Sequence, residues 1–283
     1  MKQRTITGAI LFLILAPLIA IEILTIPFQV VMGGFVICAA LELLKMYESE
    51  KKYSIPVKLM IVLCSLLIYG SIIFVIYTGV DGYNFTIVFS AMLINMIILM
   101  VMSVFGDFDG KDIVKGAFTM LYAGMGISAL VMLKAFNIDF IIYLFLITTM
   151  TDMFAYFGGV LFGKHKMAPT ISPKKTWEGA VIGSIFGTAA ASSFALFLGI
   201  NNSSIFSEIL SFDGALLIAF VICLTAVATI LGQIGDLVAS KLKRTYEIKD
   251  FGKIFPGHGG VLDRFDSAIF VSMFLLAAII LIV

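Results

Sequence analysis

Residues 215–239 read ALLIAFVICLTAVATILGQIGDLVA, and Asp236 is the only charged side chain in this stretch. A helix needs about twenty largely apolar residues to cross the hydrocarbon core of a bilayer, and this segment is long enough to do so. It therefore predicts a membrane-spanning helix. It also raises a chemical question, because a carboxylate within a span costs roughly 3 kcal/mol unless it faces protein, water, a metal ion or an opposite charge.

The composition extends this prediction to the whole chain. Of the 283 residues, 61% are hydrophobic and only 13% are charged, and the mean hydropathy is +1.11. A soluble domain is typically about half apolar and about a quarter charged, so we expect an integral membrane protein. Three cysteines lie in apolar runs at unrelated spacings, a pattern that indicates neither a disulfide framework nor a metal site.

Nine segments are long and apolar enough to be spans, and they predict an all-α integral membrane protein. Eighteen of the nineteen Lys and Arg residues fall on one side if the N-terminus is cytoplasmic, and only Lys134 falls elsewhere. Positive charge collects in cytoplasmic loops, so we expect a cytoplasmic N-terminus and a C-terminus on the opposite side. The segments are residues 6–25, 28–46, 57–78, 85–105, 116–133, 140–162, 180–200, 215–239 and 267–283.

The predicted organisation has two parts. Residues 1–135 hold the first five spans, and residues 136–283 hold the last four spans together with two long cytoplasmic loops. The loops are GKHKMAPTISPKKTWEG at 163–179 and KLKRTYEIKDFGKIFPGHGGVLDRFD at 241–266. Both are longer than a connection requires, so we expect the chemistry in the second part.

Asp236 is the first candidate for a functional residue. If its helix continues past residue 239, then Ser240, Lys243 and Arg244 lie on the same face as Asp236. The alternative interpretation is an ordinary helix end whose basic residues reach out to the membrane interface. That alternative explains Lys241 better than it explains Asp236, so we favour a functional role for the carboxylate.

Asp263 and Asp266 lie three residues apart at the predicted start of the last span, where a helix N-terminus stabilises negative groups, including phosphates. An aspartate at this position is also an ordinary helix cap. Together with Asp236, the two carboxylates would supply the hard oxygen ligands that Mg²⁺ prefers. The preceding Gly259 and Gly260 allow a close approach of the backbone to a ligand.

Other polar residues leave two interpretations open. His258 can titrate near neutral pH, or it can fix backbone and phosphate contacts in its loop. Asp152, with Tyr156 one turn later, lies inside a predicted span and indicates either a polar cavity or a structural partner. The segment ISPKKT either binds a phosphate-bearing ligand or attracts anionic lipid, and its candidate residues are Ser172, Lys174, Lys175 and Thr176.

These motifs resemble the signature of the phosphatidate cytidylyltransferases, also called CDP-diglyceride synthases. The segments DMFAYFGGVLFGK and ISPKKTWEG are also similar to that family, so the resemblance covers the chain from about Asp152 onward. The first half is similar only in carrying several apolar spans. The signature residues here are Ser240, Lys243-Arg244, Lys249-Asp250, His258-Gly259-Gly260, Asp263-Arg264 and Asp266.

The resemblance implies a reaction in phospholipid biosynthesis, in which CTP and phosphatidate give CDP-diacylglycerol and pyrophosphate. It implies a need for Mg²⁺, with family precedent for a second, monovalent cation such as K⁺. It further implies a homodimer with CTP and bilayer phosphatidate as partners and with no nucleic acid. A bacterial inner membrane with the active site on the cytoplasmic side fits this function.

The residue roles follow from the motifs and the resemblance together. The expected metal ligands are Asp236, Asp263 and Asp266. The expected catalytic residues are Asp236, Asp263, Lys243, Arg244 and His258. The expected substrate-binding residues are Asp152, Tyr156, Ser172, Lys174, Lys175, Thr176, Ser240, Lys249, Gly259, Gly260 and Arg264.

Two other functions remain open. A cation-coupled transporter would use Asp152 and Asp236 as ion sites within the membrane, but it leaves the loop with His-Gly-Gly unexplained. A CTP-dependent lipid kinase would transfer the terminal phosphoryl group of CTP instead of the cytidylyl group. Labelled CTP distinguishes the two enzymes, because only the cytidylyltransferase leaves cytidine on the lipid.

Overall fold

The structure, a computed structural model, describes residue 8 and residues 13–79, 82–104, 107–198 and 214–282. Seven helices in these ranges are long and apolar enough to cross a membrane. The prediction of an all-α integral membrane protein is therefore confirmed. The seven helices correspond to the predicted spans 28–46, 57–78, 116–133, 140–162, 180–200, 215–239 and 267–283.

The two other predicted spans are described only in part. The segment 6–25 falls partly on residues outside the described ranges. Within it, residues 13–20 are helical and a short 3₁₀ turn follows at Glu22–Leu24. The segment 85–105 corresponds to an apolar helix whose described side chains cover Thr86–Met102.

The chain divides into two compact units. The first unit contains Met1–Ala135 and Tyr246–Arg264, and the second contains Phe136–Thr245 and Phe265–Val283. The sequence also divides the predicted helices at residue 135. It assigns the whole second polar loop to the C-terminal part, however, whereas the structure places residues 246–264 in the first unit.

In the first unit, buried polar side chains form hydrogen bonds between helices. The hydroxyl of Tyr69 donates to the carbonyl of Gln29 at 2.5 Å, and the amide of Asn95 donates to the carbonyl of Cys64 at 3.0 Å. Such bonds satisfy polar groups that would be costly in lipid. The helices are α1 (Thr25–Tyr47), α2 (Ile55–Thr78), α3 (Gly82–Met102), α4 (Gly110–Thr119) and α5 (Gly126–Phe136), with a π-helical turn at Met120–Met125 between the last two.

Asp112 fixes the start of α4. Asp109 and Asp112 form a reciprocal capping box, and the carboxylate of Asp112 also accepts bonds from Lys51 at 2.6 Å and from the Tyr53 hydroxyl at 2.7 Å. Asp112 is 2% exposed. A buried carboxylate with this many donors is a structural anchor.

The second unit contains the helices α6 (Ile138–Phe162), α7 (Trp177–Ser193) and α8 (Ala215–Thr245), and most of α9 (Leu262–Ile282). Between α6 and α7 lies a feature that the sequence does not predict, an antiparallel hairpin of β1 (Lys166–Ala168) and β2 (Ser172–Thr176). The hairpin occupies the first polar loop and turns at Pro169 and Thr170.

Small residues allow α6 and α7 to pack closely. Gly179, Gly183 and Gly187 recur every fourth residue on α7 and face α6. A Cβ added at Gly183 would lie 2.7 Å from the Ala155 side chain and 2.7 Å from the Thr151 carbonyl. In lipid the hydrophobic effect does not drive helices together, so helices whose backbones approach this closely are held by van der Waals contacts. The packing holds the end of the hairpin against α6.

Candidate active site

Asp236 lies near the end of α8, where the helix is continuous to Thr245. The predicted shared face is therefore formed, and the hydroxyl of Ser240 donates to Oδ1 of Asp236 at 3.3 Å. Asp236 is half-buried, with a side chain that is 31% exposed. It thus remains accessible to solutes while it is still partly shielded from water.

Lys175, at the end of β2, is the cationic partner of Asp236. Its Nζ lies 2.6 Å from Oδ2 of Asp236 and 3.5 Å from the carbonyl oxygen of Gln233. The side chain of Gln233 in turn donates to the Ala180 carbonyl and the Ser184 hydroxyl of α7. The hairpin, α7 and α8 are therefore joined around one carboxylate.

Two further carboxylates lie near Asp236 in the second unit. The negative charge of Asp236 repels the carboxylates of Asp152 and Asp266. The ammonium group of Lys243 attracts the carboxylate of Asp266. Oδ1 of Asp266 accepts a bond from the backbone N–H of Ser267 at 2.9 Å. We call Asp152, Asp236 and Asp266 the acidic cluster. Like charges held together in this way favour the binding of a cation.

Several hydroxyl-bearing side chains lie beside Asp152. The hydroxyl of Thr151 is buried there and, within the described part of the chain, has no hydrogen-bond partner. The narrow space here has no room for a water molecule, and its lining residues are Ile147, Thr148, Thr151, Asp152, Thr229, Gly232 and Ser267. The predicted polar cavity beside Asp152 therefore stays a prediction.

The acidic cluster fits a divalent cation that shares its ligands with a substrate. Among the residues that the structure describes, no three or more Asp, Glu, His or Cys side chains form a ready-made metal site. Mg²⁺ commonly needs only one or two protein carboxylates, because waters and substrate phosphates complete its shell. The carboxylate oxygens and the Ser240 hydroxyl are hard donors of the kind that Mg²⁺ prefers.

The other predicted residues of the second unit have varied environments. Thr176 is 5% exposed, and its hydroxyl accepts the Gly179 N–H as the cap of α7. Arg244 donates from Nε to the carbonyl of Ile171 at 3.5 Å. Tyr156 is 68% exposed. Ser172 pairs within the hairpin and Lys174 is exposed on it.

The second polar loop lines an open pocket of about 590 Å³ within the first unit. This volume lies in the usual range for small-molecule sites, and three cationic side chains reach it. The loop bends sharply at Gly257 and Gly259, whose φ angles are 76° and 86° and therefore favour glycine. The lining residues are Lys249, Asp250, Gly252, Lys253, Phe255, Pro256, Gly257, His258, Gly259 and Arg264. We call this space the loop pocket.

Two buried carboxylates hold the backbone of this loop. Oδ2 of Asp263 accepts the N–H groups of Phe251 at 2.8 Å and Gly260 at 3.0 Å. Glu42, from α1, accepts the N–H of Val261 through Oε1 at 2.9 Å and that of Leu262 through Oε2 at 3.0 Å. At the start of α9, the backbone N–H of Leu262 thus binds a carboxylate of the chain itself, that of Glu42.

The predicted metal ligands thus lie in separate units, with Asp263 in the first unit and Asp236 and Asp266 in the second. Asp263 is 8% exposed and already serves the loop backbone. Glu42 lies inside the predicted span 28–46 and is not among the predicted site residues. The signal was nevertheless available, because a carboxylate within a span usually has a specific role.

His258 lies on the wall of the loop pocket. Its backbone N–H donates to the Phe255 carbonyl at 2.8 Å. Its Nδ1 atom is buried and lacks a hydrogen-bond partner among the described residues. A general base usually has a second group that orients its ring, so the geometry favours a role in loop structure or phosphate contact.

A membrane protein with an acidic cluster and a cationic loop pocket has the groups of a transferase that handles phosphate-bearing substrates. The sequence model of the cytidylyltransferase family matches residues 2–282, so this chain belongs to that family.

Named relatives agree with this membership. The phosphatidate cytidylyltransferase of Bacillus subtilis (strain 168) is 31% identical over 279 residues, which cover 97% of this chain and 96% of that protein. The enzyme of the same name from Staphylococcus haemolyticus is 39% identical over 153 residues, and one from Staphylococcus aureus (strain COL) is 36% identical over 153. In the Staphylococcus alignments the chain spans about half of each relative, 54%.

Proposed function

We propose that this chain is a phosphatidate cytidylyltransferase, which makes CDP-diacylglycerol and pyrophosphate from CTP and phosphatidate. The observation that carries the proposal is the near full-length similarity to the Bacillus subtilis enzyme of that name. The acidic cluster and the loop pocket support it, because they supply a cation site and an anion site in a membrane protein.

In the proposed reaction, an oxygen of the phosphatidate phosphate attacks the α-phosphorus of CTP. A new P–O bond joins the lipid phosphate to cytidine monophosphate. The bond from the α-phosphorus to the bridging oxygen breaks, and pyrophosphate leaves with that electron pair. An ionised phosphate needs no base to remove a proton, so the reaction depends mainly on positioning and on charge neutralisation.

The loop pocket is the proposed site for the triphosphate of CTP. Lys249, Lys253 and Arg264 line it, and the guanidinium group can bind two phosphate oxygens at once. Gly259 and Gly260 keep the backbone of the pocket compact. His258 contacts phosphate or fixes the loop in this proposal and does not act as a base.

The acidic cluster is the proposed Mg²⁺ site, with Asp236 and Asp266 as ligands and Ser240 beside them. Bound Mg²⁺ would neutralise the charge that develops on the phosphate oxygens, and K⁺ is proposed as a second cation. Asp263 stays a predicted ligand, although its carboxylate also serves the loop. Asp152 adds negative charge to the part of the site that lies within the membrane.

Basic and polar residues around the cluster are proposed to receive the substrate phosphates. Lys243 and Arg244 extend from the last turn of α8, and Lys175 already lies against Asp236. The neighbouring hairpin residues Ser172, Lys174 and Thr176 shape this side of the site. Tyr156, which is exposed on α6, would face the lipid substrate.

The wider setting is also a proposal. We infer nine spans with a cytoplasmic N-terminus and a C-terminus on the opposite side, as the distribution of basic residues indicates. The active site then opens to the cytoplasm, where CTP is available. The bacterial relatives support a bacterial inner membrane, and we propose a homodimer that binds no nucleic acid.

The decisive experiment incubates the purified protein with phosphatidate, Mg²⁺ and CTP labelled at either the α- or the γ-phosphorus. We expect label in the lipid only from α-labelled CTP, together with release of pyrophosphate and complete loss of product in excess EDTA. Lipid labelled only from the γ-phosphorus would instead identify a kinase. Solute movement without CTP turnover would identify a transporter.

A further inference from the structure

We propose that Glu42 is a positioning residue that holds the loop pocket in its CTP-binding shape. This proposal rests on the proposed function for the identity of the ligand. The contacts themselves lie within the first unit and join α1 to a loop that follows more than two hundred residues later.

The burial of Glu42 requires a specific partner. The residue is 5% exposed and lies in a membrane-spanning helix, where an unsatisfied carboxylate is strongly unfavourable. Its two oxygens accept separate backbone N–H groups, those of Val261 and Leu262. The carboxylate therefore binds the first turn of α9, where the helix dipole favours negative charge.

The glycines of the loop fit around Glu42. A Cβ added at Gly252 would lie 2.8 Å from Cδ of Glu42, and a Cβ added at Gly260 would collide with its Oε1 atom. The backbone of Gly260 lies outside the left-handed region, so the missing side chain is needed for space and not for conformation. The second glycine of His-Gly-Gly therefore makes room for Glu42.

The residues on either side of the segment that Glu42 holds line the loop pocket. Gly252 and Gly259 line the pocket, as does Arg264, two residues beyond the second N–H that Glu42 accepts. Release of Val261 and Leu262 would change the direction in which the Arg264 side chain leaves the helix. Glu42 thus acts on the ligand through the loop and does not touch the ligand itself.

The direct test replaces Glu42 by Gln, which has the same size and no charge. Only one atom of the amide accepts hydrogen bonds, and its NH₂ group faces the second N–H as a donor. We expect faster hydrogen exchange of the Val261 and Leu262 amides and an affinity for CTP that is weaker by about tenfold, the effect of one lost buried acceptor. The KM for phosphatidate should stay within about twofold.

A matched control and a charge-retaining variant complete this test. Glu48→Gln, directly after the same helix, removes a half-buried ion-pair partner of Lys58 and should change neither hydrogen exchange in the loop nor CTP affinity. Glu42→Asp keeps the charge, should lie between wild type and Glu42→Gln, and supplies the same measurements if Glu42→Gln does not fold.

A double-mutant cycle separates positioning from general damage. Gly260→Ala should strongly weaken CTP binding when Glu42 is present. In a Glu42→Ala background, where the added methyl group has space, the same substitution should cause a loss of CTP affinity that is smaller by about fivefold or more. Gly259→Ala is the comparison, since its φ of 86° and its contact with Asp263 should make it equally harmful in both backgrounds.

Two results would overturn the proposal. One is unchanged loop exchange and CTP affinity in Glu42→Gln, and the other is an equal effect of Gly260→Ala in both backgrounds. Wild-type protein that neither binds CTP nor makes CDP-lipid would overturn the proposed function instead. The exchange measurement on Val261 and Leu262 would still decide whether Glu42 holds the loop.

Discussion

The carboxylates of the two units meet different kinds of partner. In the first unit, Glu42 and Asp263 accept bonds from backbone N–H groups of a single loop. In the second unit, Asp236 meets the ammonium group of Lys175 and the charges of two other carboxylates. Backbone donors are fixed by the fold, whereas a lysine side chain can move aside. The first arrangement maintains a shape, and in the second we expect that a metal ion can replace the lysine at Asp236.

The largest expected effect comes from the second unit. Asp236→Asn should lower CDP-lipid formation by about a hundredfold or more while the protein remains folded, because the loss of metal-assisted charge neutralisation costs several kcal/mol. Product formation from α-labelled CTP measures the effect, and Glu50→Gln, an exposed partner of Lys115, is the control. Activity near that of the wild type would remove Asp236 from the metal site.

Asp263→Asn tests whether Asp263 acts on the metal or on the loop. If the carboxylate mainly holds the loop, turnover should fall by roughly tenfold, excess Mg²⁺ should not restore it, and the amides of Phe251 and Gly260 should exchange faster. A Mg²⁺ titration and hydrogen exchange measure the two roles separately. A large rise in the Mg²⁺ requirement without faster exchange would assign Asp263 to the metal.

Lys175→Ala tests whether the cation at Asp236 is exchangeable. The ammonium group competes with a metal for the carboxylate, so its removal should lower the Mg²⁺ concentration for half-maximal activity by about threefold. The effect is modest because both side chains are roughly a quarter to a third exposed. Lys166→Ala, exposed on the same hairpin, should leave the Mg²⁺ requirement unchanged. An unchanged requirement with a higher KM for CTP would make Lys175 a phosphate ligand only.

The smallest expected effect concerns packing and leaves the chemistry intact. Gly183→Ala should lower the Tm, because the new methyl group meets the Ala155 side chain and the Thr151 carbonyl and overpacking costs about 1–3 kcal/mol. Gly70→Ala in the first unit has open space around its Cβ and should leave the Tm unchanged or slightly higher. Equal Tm values for the two variants would show that the packing of α6 against α7 does not depend on the close approach of their backbones.

Much of the fold was readable from local patterns. Seven of the predicted spans appear as helices, and α8 continues through Ser240 and Lys243, which is the condition for the predicted shared face. The hairpin in the first polar loop was not predicted, because its strands are only three and five residues long and carry no clear alternation of polar and apolar residues.

The candidate site was predictable as a set of residues but not as an arrangement. The motifs single out Asp236, Asp263 and Lys175, yet they do not reveal that Lys175 pairs with Asp236 or that Asp263 binds two N–H groups of its own loop. Glu42 was missed although a carboxylate inside a span is itself a signal. Its partner could not be predicted, because Val261 lies 219 residues further along the chain.

The sequence by itself determined the class of protein, because the length and apolar character of each segment are local properties. They decide, separately for each segment, whether it can span a bilayer. It also fixed which residue types are available for chemistry. Only the tertiary structure decided which carboxylates hold the loop and which one pairs with a lysine. Those partners come from distant segments, and the packing of helices selects them through close approaches that no spacing along the chain encodes.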